Sequence, residues 1–251
     1  MSLMSLPPCP VCSSDCRLHD VVDFNKSCQS ANGRFLPLLG IPIYYALCET
    51  CGFCFSPDMC QWSTDDFSAH VYNDDYKLVD PDYEVDRPTA NAAFVSSLFP
   101  GMTPDIRHLD YGGGNGQMAS ILRSQGGSCV SYDPFADGAR DPMALGPFDL
   151  ITAFEVFEHV TDVGALMSRL VSLRAEDGII LFSTLTSDGH IHAHQRLDWW
   201  YASPRNGHIS LFSKTSLSVL ATRYSFNFGT LAEGVHVFWK KAPPFAAHLF
   251  G

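Results

Sequence analysis

The sequence predicts an α/β protein: a doubly wound, mostly parallel sheet preceded by a small cysteine-rich module. Three observations carry that expectation. The first is Asp110-Tyr111-Gly112-Gly113-Gly114-Asn115-Gly116, entered from the short run 106–109 and followed by a helix-compatible stretch, 117–123. Glycines belong where the backbone needs φ values that strain other residues, or where a ligand lies against bare main chain. A helix starting behind such a turn aims its free N–H groups and positive dipole end at whatever occupies the loop. The second observation is Asp133, which ends the run 128–133 seventeen positions after Gly116. In a doubly wound unit the second strand presents a carboxylate to a ribose diol about 20 residues on. The third is a repeated Cys-x-x-Cys spacing near the start of the chain.

In chain order, residues 5–60 read as the metal module. Cys9-Pro10-Val11-Cys12 and Cys48-Glu49-Thr50-Cys51 are two knuckles of one spacing. Each turns two thiolates to one centre, and four thiolates suit a tetrahedral structural zinc ion. Strands are expected around 17–24 and 43–47, which makes the module zinc-ribbon-like. Nine cysteines in a chain expected to be cytoplasmic call for metal or buried-thiol explanations before disulfides. The competing reading is four buried or redox thiols. A closed four-thiolate site has no open position, so its role is folding. Cys16, Cys28, Cys54, Cys60 and Cys129 lack the paired spacing, with Cys54 or Cys60 as a substitute for one ligand.

Residues 61–100 read as a helical linker or lid. Ser63 or Thr64 caps a short helix with Asp66 in its first turn, and 88–99 forms a second helix. Residues 101–251 then hold the doubly wound domain. Strands are expected at 106–111, 128–133, 148–154 and 178–185, helices at 117–125, 162–174 and 214–222. A closing antiparallel hairpin follows from 226–232 and 235–240. Fourteen residues, 134–147, separate the second strand from the next. They are too few for a helix of about 12 residues and a strand of about 5 with their turns, so a reduced third strand is expected.

Asp-x-Gly-x-Gly-x-Gly, the distal Asp133, Phe148-Asp149-x-Ile151 and Glu155-Val156-x-Glu158-His159-Val160 together resemble the class I S-adenosylmethionine-dependent methyltransferases. The nearest group is the small-molecule branch that includes ubiquinone-type O-methyltransferases and sugar C-methyltransferases, over residues 87–241. The resemblance implies a Rossmann-like sheet of the methyltransferase type. It implies that Gly112, Gly114 and Gly116 pack against the methionine and ribose part of S-adenosylmethionine. Asp110 would lie close to the methionine amino group, Asp133 on the ribose hydroxyls, and Glu155 at the fourth strand's end beside the cofactor. The shortened segment normally supplies the acid that reads the adenine; Asp137 or Asp141 are the candidates here. The loop by itself also fits a dinucleotide pattern, Gly114-Asn115-Gly116-Gln117-Met118-Ala119, which keeps a nicotinamide or flavin site as an alternative.

After residue 185 comes a polar-aromatic loop: alternating His190, His192 and His194, then Asp198-Trp199-Trp200-Tyr201, then Arg205-Asn206-Gly207-His208-Ile209-Ser210-Leu211-Phe212-Ser213. Doubly wound sheets place substrate at the carboxyl ends of their strands. A small-molecule acceptor, a sugar or other biosynthetic intermediate, is therefore expected between the 186–212 loop and Tyr72–Tyr76. His159 or His208 is the expected general base, since a histidine pKa near ~6.5 suits that task. Trp199, Trp200 and Tyr201 are expected to wall the pocket, although adjacent tryptophans on an extended chain face opposite ways. The alternating histidines lack a carboxylate partner at metal-site spacing and read as a wet loop.

The net charge is −11, and residues 61–88 concentrate Asp65, Asp66, Asp74, Asp75, Asp80, Asp82, Glu84 and Asp86 against Lys77 and Arg87. Nucleic-acid binders display a basic patch instead, so no nucleic-acid partner is expected. No apolar run approaches the ~20 residues needed to span a bilayer. No basic region followed by an apolar stretch opens the sequence, which favours the cytoplasm and no membrane partner. The alternatives are an rRNA or tRNA methyltransferase, a non-catalytic binding or scaffold protein that keeps the cofactor fold, and last a nicotinamide oxidoreductase.

Overall fold

Among the described residues, one cluster of buried apolar side chains includes Phe24, Tyr45 and Leu211 and another includes Val95, Leu150 and Val237, and the chain divides into two compact units. The structure, a computed structural model, describes residues 6–137 and 141–250. One unit gathers residues up to Pro81 with Glu158–Gly164 and Leu185–Arg223; the other gathers Asp82–Phe157, Ala165–Thr184 and residues from Tyr224 onward. The chain thus crosses the linear partition at residues 60 and 100 expected from sequence. Residues 185–223, read as a loop of the doubly wound domain, pack with the cysteine module, and residues 82–100 pack with the sheet domain.

The elements of the first unit begin with β1 (Arg17–Asp23), β2 (Pro42–Leu47), β3 (Cys54–Phe55), α1 (Thr64–His70) and α2 (Tyr76–Val79). The other unit supplies α3 (Asp86–Leu98), β4 (Arg107–Tyr111), α4 (Gln117–Ser124), β5 (Ser128–Tyr132) and β6 (Phe148–Ala153). Then come α5 (Val163–Leu173), β7 (Arg174–Ser183), β8 (Ser210–Leu211), α6 (Lys214–Arg223), β9 (Asn227–Ala232) and β10 (Val235–Trp239).

In the sheet unit the strand order is β5-β4-β6-β7-β10-β9. The β4/β5, β4/β6 and β6/β7 pairs are parallel, while β10 runs antiparallel to both β7 and β9. Leu109, Leu150, Ile151 and Ile179–Phe182 are buried without remainder, as befits parallel strands covered on both faces. The closing hairpin forms as expected. The third strand is reduced: among the described residues of 134–147 the regular element is a 3₁₀ turn, Pro142–Leu145, whose N-cap Asp141 accepts the Met143 N–H at 2.9 Å.

One strand boundary differs from the sequence expectation. β7 begins at Arg174 rather than 178, because Phe148 pairs with Arg174 but Leu150 pairs with Ile179. The extra residues are tied back by the Arg174 guanidinium, which donates to the carbonyls of Ala175, Glu176 and Gly178.

The other unit is a four-stranded antiparallel sheet, β1-β2-β3-β8. Its last strand comes from far along the chain, with Cys54 opposite Leu211 and Phe55 opposite Ser210. Ser63, rather than Thr64, caps α1. It forms a reciprocal box in which Ser63 Oγ accepts the Asp66 N–H and Asp66 accepts the Ser63 N–H, the arrangement that satisfies two orphan donors at a helix start. Phe24, Ile43, Tyr45, Met59, Phe67, Val71, Trp199 and Leu211 share one core. Among the described residues no helix is long and apolar enough to cross a membrane.

Candidate functional site

The glycine loop joins β4 to α4. Gly112, Gly114 and Gly116 have φ of 77°, 53° and 76°, a region that disfavours side chains. A Cβ on Gly112 would stand 2.4 Å from Val156 Cγ2, while around Gly114 nothing lies within 4 Å. Gly113 escaped the sequence reading. A Cβ there would lie 2.3 Å from Ser131 Oγ and 2.5 Å from Asp110 Oδ2, so its bare backbone is what lets Asp110 turn beneath the loop.

Asp110 is buried at the end of β4. Its Oδ1 accepts the Thr152 hydroxyl at 3.4 Å, whereas Oδ2 is buried without a hydrogen-bond partner. Burial raises its carboxyl to about 7 against the opposing Thr152 bond, and the charge of Asp133 adds to the rise. A buried acceptor in that state fits a cationic donor such as an ammonium group. Asp133 is half-buried. Its Oδ2 accepts the Gly114 N–H at 2.9 Å, and Oδ1 accepts those of Phe135 and Ala136 at 2.8 and 3.2 Å. A carboxylate has about four lone-pair sites, so a diol donating twice fits if one of these three bonds yields. Asp137 is engaged on the Asp133 N–H at 2.8 Å.

Glu155 follows β6 with φ of 52°, and left-handed backbone outside glycine costs about 1–3 kcal/mol. Ser183 braces it: the Glu155 N–H donates to Ser183 Oγ, and the Ser183 hydroxyl donates to Glu155 Oε1, both at 2.8 Å.

In the other unit the two cysteine knuckles converge. The sulfurs of Cys9, Cys12, Cys48 and Cys51 all lie within 4.8 Å of one another, with Cys9–Cys51 at 3.6 Å and Cys12–Cys48 at 3.4 Å. Sulfurs placed at ~2.3 Å around a tetrahedral zinc ion are ~3.8 Å apart, so the donor set fits. Both knuckles use one turn. Ser13 and Gly52 N–H groups donate back to the Cys9 and Cys48 carbonyls, and both residues have positive φ, 63° and 74°. The hydrogen bond between them holds the Cys9 thiol low and the Cys51 thiol high. Cys54 and Cys60 stand outside this group, and burial raises both their thiols.

The same unit builds a buried polar cluster from segments that are distant in sequence. His159 Nδ1 is 3.1 Å from the Tyr72 hydroxyl, and its Nε2 is 4.0 Å from Glu158 Oε1. The Tyr201 hydroxyl donates to that same Glu158 oxygen at 2.6 Å. His208 Nδ1 meets the Tyr201 carbonyl at 2.8 Å, and the His159 and His208 rings are 4.8 Å apart. Both expected histidines are therefore neighbours, together with Tyr72. Glu158, His159 and His208 also bring one ligand atom each within 4.8 Å of one another, although Glu158 and His208 are already bonded to Tyr201. Trp199 is buried and Trp200 exposed, as their adjacency dictates. His190 stacks flat on Trp199 at 4.9 Å, and the alternating histidines belong to neither metal-capable group among the described residues.

Supporting residues that the sequence reading missed are Glu158, Lys26, Arg205 and Gly207. Half-buried Lys26, whose pKa desolvation lowers to about 8, donates to the carbonyls of Trp199 and Ala202 at 2.5 and 2.7 Å. Arg205 donates to the Val71 carbonyl at 2.8 Å and to Asn73 Oδ1 at 3.1 Å, one residue on either side of Tyr72. Glu158 stood in the Glu-x-x-Glu-His motif and Arg205 and Gly207 beside His208, whereas Lys26 carried no sequence signal.

A family model described as a methyltransferase domain matches residues 83–230. A ubiquinone biosynthesis O-methyltransferase of Rhodopseudomonas palustris (strain TIE-1) is 33% identical over 101 residues, which cover 32% of this chain and 40% of that protein. The like-named protein of Bradyrhizobium sp. (strain ORS 278) is 29% identical over 94 residues, covering 38% and 36%. The match thus spans about two-fifths of the length of these relatives. An O-methyltransferase family protein from Burkholderia thailandensis shares the fold with a TM-score of 0.50 at 14% identity, over 70% of this chain and 63% of that one.

Proposed function

Because the chain belongs to the methyltransferase-domain family, we propose that it moves a methyl group from S-adenosylmethionine to a hydroxyl of a small molecule, a sugar or another biosynthetic intermediate. The observation that carries the choice of donor is the buried, partnerless Asp110 Oδ2 beneath a glycine loop whose Gly114 faces open space. That pairing suits an ammonium group on one side and a bare-backbone cradle on the other. Gly112, Gly113, Gly114 and Gly116 would hold the methionine and ribose, Asp133 the ribose diol and Glu155 the rim. When bound, the donor supplies a methyl carbon already activated by a sulfonium, so the protein's task is alignment, worth up to ~7–11 kcal/mol. The names of the partly matched relatives support oxygen as the receiving atom.

A hydroxyl acceptor must lose a proton, and a positioned base contributes about 10²–10⁴-fold. His159 is the better candidate of the two histidines. His208 is 5% exposed and committed to the Tyr201 carbonyl, while the His159 side chain keeps 16% exposure beside Tyr72. Cys9, Cys12, Cys48 and Cys51 would hold a structural zinc ion, whose closed thiolate set stabilises the fold. The net charge of −11 disfavours a nucleic-acid substrate.

The test is incubation of the purified chain with methyl-labelled S-adenosylmethionine and panels of hydroxylated sugars and phenols. Label transferred to a small molecule is the expected result. Label on structured RNA alone would replace this reading with the RNA one, and no transfer combined with tight NAD binding would overturn it.

A further inference from the structure

Resting on that reading for the identity of the ligand, we propose that His108 and Thr152 are the positioning pair of the cofactor site. A hydrogen-bond chain from His108 through Thr152 engages one oxygen of Asp110, favours its charged form and leaves the other oxygen for the ligand's ammonium group. His108 and Asp110 lie two residues apart on β4 and so share a face, and the parallel pairing of Asp110 with Thr152 sets the threonine beside them. His108 and Thr152 are both fully buried. Parallel strands covered on both faces are usually filled with Val, Ile and Leu, so an imidazole and a hydroxyl side by side are a departure.

The direction of the chain follows from its protons. His108 Nε2 lies 2.9 Å from Thr152 Oγ1, and that hydroxyl is 3.3 Å from the Leu109 carbonyl and 3.4 Å from Asp110 Oδ1. Nδ1 of His108 is buried with no hydrogen-bond partner. If the threonine gave its single proton to Nε2, the imidazole proton would sit on Nδ1 as a buried donor without an acceptor. Asp110 Oδ1 would also lose its donor, and both losses are costly in the interior. With the proton on Nε2, the imidazole donates to Thr152, the hydroxyl donates onward, and only a lone pair is left over. Burial keeps the ring neutral, lowering its pKa to about 3, so it supplies a fixed donor and no charge.

The consequence falls on Asp110. With Oδ1 engaged by Thr152, Oδ2 is the oxygen beneath the loop, 2.5 Å from where a Cβ on Gly113 would stand. The other titratable groups facing this carboxyl come from β5 and its end. Burial and the charge of Asp133 both raise the Asp110 carboxyl, and the Thr152 bond opposes them. The Cys129 thiol, raised by burial and by the Asp110 charge, supplies no cation. The Thr152 hydroxyl is thus the group that favours the carboxylate, and His108 keeps that hydroxyl's proton on the carboxylate's side. A histidine and a threonine buried only to satisfy each other would leave the charge of Asp110 unchanged.

Carbon-13 NMR of the Asp110 carboxyl in the ligand-free protein tests the pair, with Asp110→Asn identifying the signal. Thr152→Val is expected to raise the titration midpoint by about one pH unit, and Thr152→Ser to restore it. His108→Leu should raise it by less, and His108→Gln, whose amide donates from the place of Nε2, should restore it. Nitrogen-15 signals of the wild-type His108 ring should show the Nε2–H tautomer at pH 8. In calorimetry, Thr152→Val should bind S-adenosylhomocysteine about fivefold more weakly at pH 7, where less of its Asp110 is ionised, and within about twofold of wild type at pH 8.5. An Nδ1–H tautomer, or a Thr152→Val midpoint equal to that of the wild type, overturns the proposal. So does an affinity loss of one size at both pH values, which is what damaged packing alone would give. If the wild type binds no S-adenosylhomocysteine, the donor reading fails and the carboxyl titration decides for or against the pair. Should Thr152→Val fail to fold, the wild-type tautomer decides.

Discussion

The two units reach an ordered site by opposite routes. In the sheet unit the central strands β4 and β6 are largely buried and fix the loop between β4 and α4, so the proposed cradle is five adjacent residues, Gly112–Gly116. In the cysteine unit two of the four strands are two residues long. The Tyr72–His159–Glu158 cluster draws on segments around residues 72, 159, 201 and 207. Beside its apolar core, that unit brings four thiols together and ties segments distant in sequence with polar bonds such as those of Lys26 and Arg205. Where parallel strands fix a loop, a candidate site can be local in sequence; where distant segments converge, as in the cysteine unit, it is assembled only by folding.

The largest effect should come from removing the four-thiol site. Elemental analysis of the wild type is expected to give one zinc ion per chain, and Cys9→Ser with Cys48→Ser is expected to abolish it. The double variant should also melt the cysteine unit well before the sheet unit, since structural zinc contributes about 10–16 kcal/mol of apparent binding energy in small modules. Undiminished zinc, or one shared transition, would remove the contrast between the units.

Next in size is Gly113→Ala in the sheet unit. The new Cβ would meet Ser131 Oγ and Asp110 Oδ2 at 2.3 and 2.5 Å. Displacing these costs about 1–3 kcal/mol, and titration calorimetry should show S-adenosylhomocysteine affinity falling 10-fold or more, at about 1.4 kcal/mol per tenfold. Wild-type affinity would show that the loop is not the rigid cradle described.

Asp110 gives a pH test. Its carboxyl is raised from 3.8 to about 7 in the fold, so the cofactor-free protein is favoured at low pH and loses that contribution as pH rises between those values. A ligand carrying an ammonium group pairs with the ionised form, so affinity should rise as pH climbs from about 6 to 8 and flatten above. Calorimetry of Asp110→Asn should show no such rise; an identical slope would remove Asp110 from the ligand's amino group. The smallest expected effect is that of Ser63→Ala, which dismantles the capping box of α1. It should cost about 1 kcal/mol in the melting of the cysteine unit and leave cofactor affinity untouched.

Legibility in the sequence follows the same divide. The strand–glycine–helix unit, Asp133, the reduced third strand, the closing hairpin and the four-cysteine convergence all rest on short-range spacing, and each was readable. Gly113 was not, because a glycine demanded by a neighbouring Asp110 looks like any other in a glycine run. The assignment of residues 185–223 to the cysteine unit was hidden because β8 is two residues long and pairs with β3 across the whole chain. Glu158 stood inside a recognised motif, but its partner Tyr201 is brought to it only by folding.

The central claim is that the glycine loop holds S-adenosylmethionine through Asp110 and Asp133, and calorimetric titration with S-adenosylhomocysteine tests it most directly. The account predicts one site per chain and no comparable binding of NAD. It also predicts that Asp133→Ala weakens binding by roughly 1.5–3 kcal/mol for each charge-assisted hydrogen bond lost. Unchanged affinity in Asp133→Ala, or NAD bound more tightly than the sulfur nucleoside, would contradict it.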